Sequence, residues 1–374
     1  MPIQTFDIDR DRRTIDVAKE IALLEPDDSP FTVILMRARK KAANGAEIVW
    51  FDDKLGALWT QINHSAGYNA NADNLTVDDN SIFAPYDVVK VARTGEVMLV
   101  TEIGDSNVIT VLRGYGTTSA ADINHDDWLV ILGNAMKEGS NAPAEKLSQP
   151  TKHNNYCQIF RTVFSVTGTE EAEGVITNES ERARLTRKEG LKHRLMLEHA
   201  ILFGEKKEDT TTAAAKRRMM GGLLSYISSN VYNVSSGILT ESEFELCCEQ
   251  IFAYGSANKL LVASPRLLTV ISRWAVGKLE VLPKADTYGV SIRRYISAHG
   301  TLDIVPSKTL RNAYSGWGFF VDLDNIKYRP LRDTKLKRNI QQNDEDAVRD
   351  EYFTEATLEV RLEKTHGVIK GVVN

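Results

Sequence analysis

Apolar positions change period several times along the chain, and each change predicts a different element. Near the N-terminus Ile15, Val17, Ala18, Ile21, Ala22 and Leu24 fall on one side of a helical wheel, which predicts a short one-sided helix ending before Pro26. Ser29-Pro30 predicts a second helix start, with serine as the cap and proline in the first turn, where a missing N–H costs nothing. The cations Arg37, Arg39, Lys40 and Lys41 that follow suit the negative end of the helix dipole. Residues 47–51 read as a strand and the Asn-rich stretch 63–80 as a loop. From Tyr86 the period becomes two. Segments 87–92, 96–103, 107–112 and 128–132, separated by glycine-marked turns, predict four strands of a small all-β module, and 156–166 predicts a further strand.

The longest helical pattern covers 178–203, opened by Asn178 with Glu181 three residues on and closed at Gly204. Its first half is dense in charge, including Arg184, Arg187 and Lys188, and its second half is apolar, so one end should meet water or neighbours while the other enters a core. After a polar link at 210–220, Thr240-Glu241-Ser242-Glu243 is a capping box for a helix carrying Phe244, Cys247, Cys248 and Ile251. A buried-type strand at 259–263, a helix opened by Ser264-Pro265, a hairpin of 289–296 with 301–305 and a strand at 318–323 complete a compact α/β unit. Near the end Leu358, Val360 and Leu362 alternate with Thr357, Glu359, Arg361 and Glu363, which predicts a strand with one buried and one charged face. The class is α+β.

Composition narrows the function. A chain of 374 residues with 42% hydrophobic content can bury a sizeable core, and two to three structural units are expected. The apolar runs are far shorter than the ~20 residues of a membrane span. The N-terminus lacks a secretory pattern, so the chain is expected to be made and kept in a cytoplasm, and the sequons at Asn63, Asn74, Asn178 and Asn233 carry no weight. Cys157, Cys247 and Cys248 are odd in number and lack CxxC spacing, which reads as reduced, buried thiols. A net charge of −5 argues against a sequence-specific nucleic-acid reader.

Signatures of phosphate loops, dinucleotide folds, nucleophile elbows and zincins are missing, and no catalytic, cofactor-binding or metal residue is assigned. His193 and His199 lie six positions apart, which turns their rings away from each other on a helix and favours satisfied surface or interface roles over metal ligation. Asp322 and Asp324 read as a turn and not as a catalytic pair; Asp126-Asp127 and Asp78-Asp79-Asn80 offer no more than an opportunistic surface calcium site. The basic cluster Arg332, Lys335, Lys337 and Arg338 precedes an acidic block of Asp344, Glu345, Asp346, Asp350 and Glu351. A solvated charge run is the plain reading, and opposite blocks meeting between copies is the functional one.

Three stretches carry a family likeness: Ser29 to Lys41 with Glu47-Ile48-Val49-Trp50-Phe51-Asp52-Asp53; Thr94-Gly95-Glu96-Val97-Met98-Leu99-Val100 with Arg113-Gly114-Tyr115-Gly116-Thr117; and His366-Gly367-Val368-Ile369-Lys370-Gly371. With the order of elements they resemble the major capsid proteins of tailed bacteriophages with the Hong Kong ninety-seven fold, in the branch with a small β domain inserted in the extended E-loop. The resemblance implies an N-terminal arm at 1–40, an E-loop at 41–80 and 134–170, the inserted domain at 81–133, a P-domain with its spine helix at 171–210 and 324–363, and an A-domain at 211–323 and 364–374. It implies a virion shell protein, not an enzyme, that self-assembles into hexamers and pentamers around double-stranded DNA held by non-specific contact, with scaffolding, portal and decoration proteins as further partners and no membrane. Family members that crosslink covalently use a lysine, an asparagine and a glutamate, which no motif places here. The interface candidates are Ile15, Val17, Ile21 and Leu24 on the arm, Arg184, Arg187 and Lys188 on the long helix, and the basic cluster. The alternative is another virion structural protein, a tail or head-decoration component.

Overall fold

A computed structural model describes residues 29–141, 149–173, 180–209, 217–274, 279–281 and 293–373. The chain divides into two compact units, one of Met1–Phe51 with Lys152–Asn374 and one of Asp52–Thr151. Arm residues Ile15, Val17, Ile21 and Leu24 lie outside the described residues.

In chain order the first unit holds α1 (Pro30–Ala38) and β1 (Glu47–Asp52). The second holds β2 (Trp59–Gln61), β3 (Asn74–Thr76), β4 (Asp87–Val91), β5 (Val97–Ile103), β6 (Val108–Leu112) and β7 (Trp128–Asn134). The first unit resumes with β8 (Thr151–Tyr156), β9 (Gln158–Thr167), α2 (Gly168–Glu173), α3 (Glu181–Phe203), β10 (Lys207–Asp209), β11 (Arg217–Met219), α4 (Leu223–Tyr226), β12 (Val231–Asn233), α5 (Glu241–Phe252), β13 (Asn258–Ala263) and α6 (Pro265–Trp274). It ends with β14 (Leu279–Val281), β15 (Arg293–Ile296), β16 (Thr301–Pro306), β17 (Gly318–Val321), β18 (Ile326–Lys337), β19 (Ala347–Val360) and β20 (Gly367–Lys370).

A seven-stranded mixed sheet, β12-β20-β17-β13-β16-β15-β14, organises the first unit. Strand periodicity sends Leu260, Val262, Phe319, Val321 and Val368 into a core shared with α1 and α3, and Leu261, Ala263, Phe320 and Ile369 into a second core with α5 and α6. Both faces are covered, which explains the unbroken apolar run of β13. A three-stranded sheet, β18-β19-β9, is antiparallel and packs one face on α3, and the pairs β1-β8 and β10-β11 each form a two-stranded sheet besides. Its central strand β19 has 14 residues. The charged face is present but not open to solvent: Glu359 and Thr357 are buried, and Leu362, in a left-handed conformation at φ 47°, ends the strand pattern. A central strand has neighbours on both edges and side chains over both faces, so its alternation no longer marks solvent.

α3 runs 23 residues, about 34 Å at 1.5 Å per residue. Ser180 caps it by accepting from the Ala183 N–H, and Asn178, expected in that role, lies outside the described residues. Glycine at 190 lets the Tyr352 ring press on the helix, where a Cβ would stand 3.0 Å from its hydroxyl oxygen; that hydroxyl donates to the Thr186 carbonyl. α5 has the predicted reciprocal capping box between Thr240 and Glu243.

The second unit is wider than the expected 81–133 span. Its six strands run β2-β7-β4-β5-β6-β3, and the ends meet through an Ile62–Val77 bridge, with Asn63 N–H to the Thr76 carbonyl and Asp78 N–H to the Gln61 carbonyl, closing a small barrel. The loop expected at 63–80 therefore contains β3. Leu75 and Val77, buried with Val89, Met98, Val100 and Ile109, fill an interior that four strands would leave open. Closure also removes free strand edges.

A buried polar junction joins β17 to β20. Lys259 is sealed from solvent and donates to the Tyr254 and Thr365 carbonyls at 2.8 Å, with Asp322 at 3.8 Å. The Asp322 N–H donates to His366 Nδ1, so the neutral ring carries its proton on Nε2, directed at the Arg361 carbonyl. Burial, with Lys259 adding to it, pushes His366 down to about 4. Its folded value lies below the unfolded one, so the stability it contributes is full above about pH 6.5 and is lost as the pH falls toward 4, on the order of 3 kcal/mol. Urea titrations at pH 7 and pH 4 should show that loss, and a His366→Gln variant should show less of it.

Candidate subunit-interface surfaces

The described helices include none long and apolar enough to cross a membrane, and no group of three or more His, Cys, Asp and Glu side chains is placed to hold a metal ion among the described residues. His193 is not at a surface or interface as expected. It is buried, with Nδ1 at 2.9 Å from the Thr162 hydroxyl and Nε2 at 2.8 Å from that of Thr354, which in turn meets Thr334 at 2.8 Å. One ring thus ties α3 to all three strands of the small sheet. Asp322 caps the turn at 323–325 and Asp324 pairs with Arg39, in keeping with the turn reading. Asp127 is held by Arg93, with Nε and Nη2 at 2.8 Å from its two oxygens.

The charged half of α3 emerges from the core as expected. Arg187 and Lys188 are exposed, while Arg184 is half-buried and engaged by Glu181 one turn back. Arg182 reaches Asp350 on β19 with bonds of 2.8 and 2.9 Å; burial works against the Asp350 charge, but Arg182 together with the Asn339 N–H and Arg338 holds that carboxyl below the usual range.

On the sheet face away from α3, Glu351, Glu355 and Glu359 follow one another at four-residue spacing along β19, and cations cover each. Arg161 grips Glu351 through two 2.7 Å bonds and holds its carboxyl below the usual range; Arg332 meets Glu355 at 2.5 Å; Arg329 and Arg361 share Glu359. Arg332 and Lys337 also lie over the Phe353 ring, 4.3 and 4.2 Å from its centroid. Lys335 and Arg338 are exposed. The basic cluster and much of the acidic block are therefore neighbours across one hairpin. Asp350, Glu351 and Glu345 are engaged by Arg182, Arg161 and Arg349 of the same chain, which leaves less acid for a neighbouring copy than the linear blocks imply.

Two anchors have no linear signature. In the barrel Glu96 and Arg113 form a sealed pair with two 2.8 Å bonds; Glu96 also accepts from the Gly114 and Ala121 N–H groups, and Arg113 donates to the Asn69 and Ala72 carbonyls. Burial raises the Glu96 value, yet these donors together keep it below the usual carboxylate range. At the start of α1 Ser29 makes no side-chain cap bond, and Glu198 of α3 substitutes for it. Its carboxylate accepts from the Phe31 N–H at 3.3 Å, the Thr32 N–H at 2.7 Å and the Thr32 hydroxyl at 2.5 Å. The three cysteines are free and buried, and burial pushes Cys157 up to about 11 and Cys247 to about 12.

A long helix on an antiparallel sheet, a compact α/β layer and extended strands define a Hong Kong ninety-seven-type capsid fold. A chain in the capsid of a native GTA particle superposes with a TM-score of 0.51 at 8% identity, covering 96% of both chains, and one of Microbacterium phage Oxtober96 with 0.51 at 9%, covering 99% of both. The SU10 major capsid protein family matches residues 3–373, and the chain belongs to that family. A major capsid protein of Pseudomonas phage PaMx41 is 34% identical over 103 residues, an alignment spanning 28% of this chain and 24% of that relative's length.

Proposed function

We propose that this chain is the shell subunit of a phage head, assembling through many copies of itself into hexamers and pentamers that enclose double-stranded DNA. The observation that carries this reading is the family match over nearly the whole chain. Residues 1–40 would act as the arm, 41–80 with 134–170 as an E-loop interrupted by the β module, α3 as the spine, and the seven-stranded sheet with α5 and α6 as the A-domain. Scaffolding, portal and decoration proteins are the expected further partners, and DNA contact would be non-specific. Shell interfaces of this kind commonly exceed ~2,000 Å², so geometry and not chemistry does the work. Electron microscopy of the purified chain tests it: closed shells or six-fold rings are expected, and a monomer at high concentration would refute it.

The cations Arg184, Arg187 and Lys188 of α3 are proposed to face a neighbouring subunit. Reversing Arg184, Arg187 and Lys188 to glutamate should lower particle yield severalfold while costing the subunit far less stability, because Arg187 and Lys188 are exposed and the Arg184–Glu181 pair is an i,i+3 contact of about 0.5 kcal/mol. Sedimentation and thermal melting separate the two; equal losses would place these charges inside the fold.

A further inference from the structure

The exterior of the barrel between β2 and β7 carries large apolar side chains that no described residue covers. Trp59 is 60% exposed, Trp128 48% and Leu132 58%. Register places the two indoles on one surface. Trp59 lies opposite Val130 and Gln61 opposite Trp128, so the indoles are diagonal neighbours, and Trp128 and Val130 share a face by the period of β7, while Leu132 follows at a bulge between Ile131 and Gly133 and is exposed at the end of the same wall. Neither indole makes a ring contact among the described residues. Leu58, directly before β2 and accepting from the Ile131 N–H of β7 at its carbonyl, adds a further exposed side chain.

Folding does not require these side chains. The barrel interior is filled from the opposite face, by Leu129 of β7 and by Val89 and Val91 of the adjoining β4, and polar residues would serve on the outside. The two indoles alone leave on the order of 250 Å² of surface in water. With the leucines the patch reaches the several hundred Å² that mark a contact site on a monomer, a good part of the ~800 Å² per partner of a stable interface.

Charge selects the occupant. Lys90, opposite Val130, is the one basic residue of strands β2, β4 and β7, and one cation is too few for a nucleic-acid backbone, whose binding needs several. An apolar wall with one charge suits another protein surface, and for a capsid-family chain the surface present at the highest local concentration is its own. We infer that the β2–β7 wall docks on a second copy of this chain, an inference that rests on the shell reading above.

The test places a cysteine at Leu132 in the full chain (Leu132→Cys) and measures maleimide labelling before and after assembly; the native thiols are buried and react slowly. Labelling is expected to slow at least tenfold in particles made from this chain alone, and Trp128→Ser should lower particle yield without shifting subunit melting by more than a few degrees. Unchanged labelling in well-formed particles overturns the inference and leaves the shell reading standing. Protection only in particles that carry other virion proteins also overturns it, since the occupant is then not a copy. If no particle forms, the shell reading fails first. Sedimentation of the subunit then decides: Trp128→Ser must weaken self-association, and identical association overturns the inference.

Discussion

Replacing Arg113 by alanine is expected to unfold the 52–151 barrel while the α/β unit stays folded. The substitution leaves Glu96 sealed from water with its charge unopposed, and removing one partner of a buried pair costs about 3–5 kcal/mol. It also frees the Asn69, Ala72 and Ala121 carbonyls that the guanidinium ties together. A unit of this size has on the order of 5–15 kcal/mol in total, so the loss is a large fraction. Hydrogen exchange of the full chain should show protection vanishing across β4, β5 and β6 and persisting in β13 and β17. The double variant Glu96→Gln with Arg113→Met should lose less, because no charge is left stranded. Since Glu96 titrates lower when folded than when unfolded, the pair's contribution is present above about pH 4.3 and disappears as the pH falls through the folded value. Uniform protection in Arg113→Ala would show that the barrel does not depend on the pair.

Glu198→Ala should detach the first turn of α1 from α3. Two backbone N–H groups and the Thr32 hydroxyl lose their acceptor at a buried point where the native cap serine supplies none. Hydrogen bonds to a charged group contribute about 1.5–3 kcal/mol each, so a loss of about 3–5 kcal/mol is expected, and Glu198→Gln should fall between. The consequence for assembly separates this anchor from the arm segment that precedes it in the chain. Deleting residues 1–25 leaves all three contacts in place, so that chain should melt as the parent does yet fail to close shells. Glu198→Ala should melt earlier and assemble poorly. Equal melting of Glu198→Ala and parent would assign the anchoring of α1 to its apolar residues Phe31, Ile34 and Leu35 instead.

Much of the fold is legible without coordinates, for reasons that vary with the element. The helices over 30–38, 241–252 and 265–274 carry their own punctuation, in Pro30, the Thr240–Glu243 box and Pro265, so local chemistry is enough. Four barrel strands announce themselves by alternation and glycine turns. β3 does not, because three residues among asparagines have too short a period to register, and its strand state is set by Leu75 entering a core made elsewhere. The burial of Glu351, Glu355 and Glu359 is equally silent. An alternating carboxylate reads as solvent-facing unless the arginines that cover it, some up to 190 residues away in the chain, are known to arrive there.

The sequence by itself determined the class of the molecule, the order of its elements, the charged-to-apolar gradient along α3 and the likeness to a capsid family, since each rests on short-range periodicity or on the order of parts. Tertiary structure alone decided that the barrel closes, that Glu198 and not Ser29 caps α1, that Glu96 and Arg113 form one sealed pair, that His193 pins helix to sheet, and that Trp59 and Trp128 share an uncovered wall. Those features depend on which distant segments converge, and a linear pattern records what each residue prefers but not who will be its neighbour.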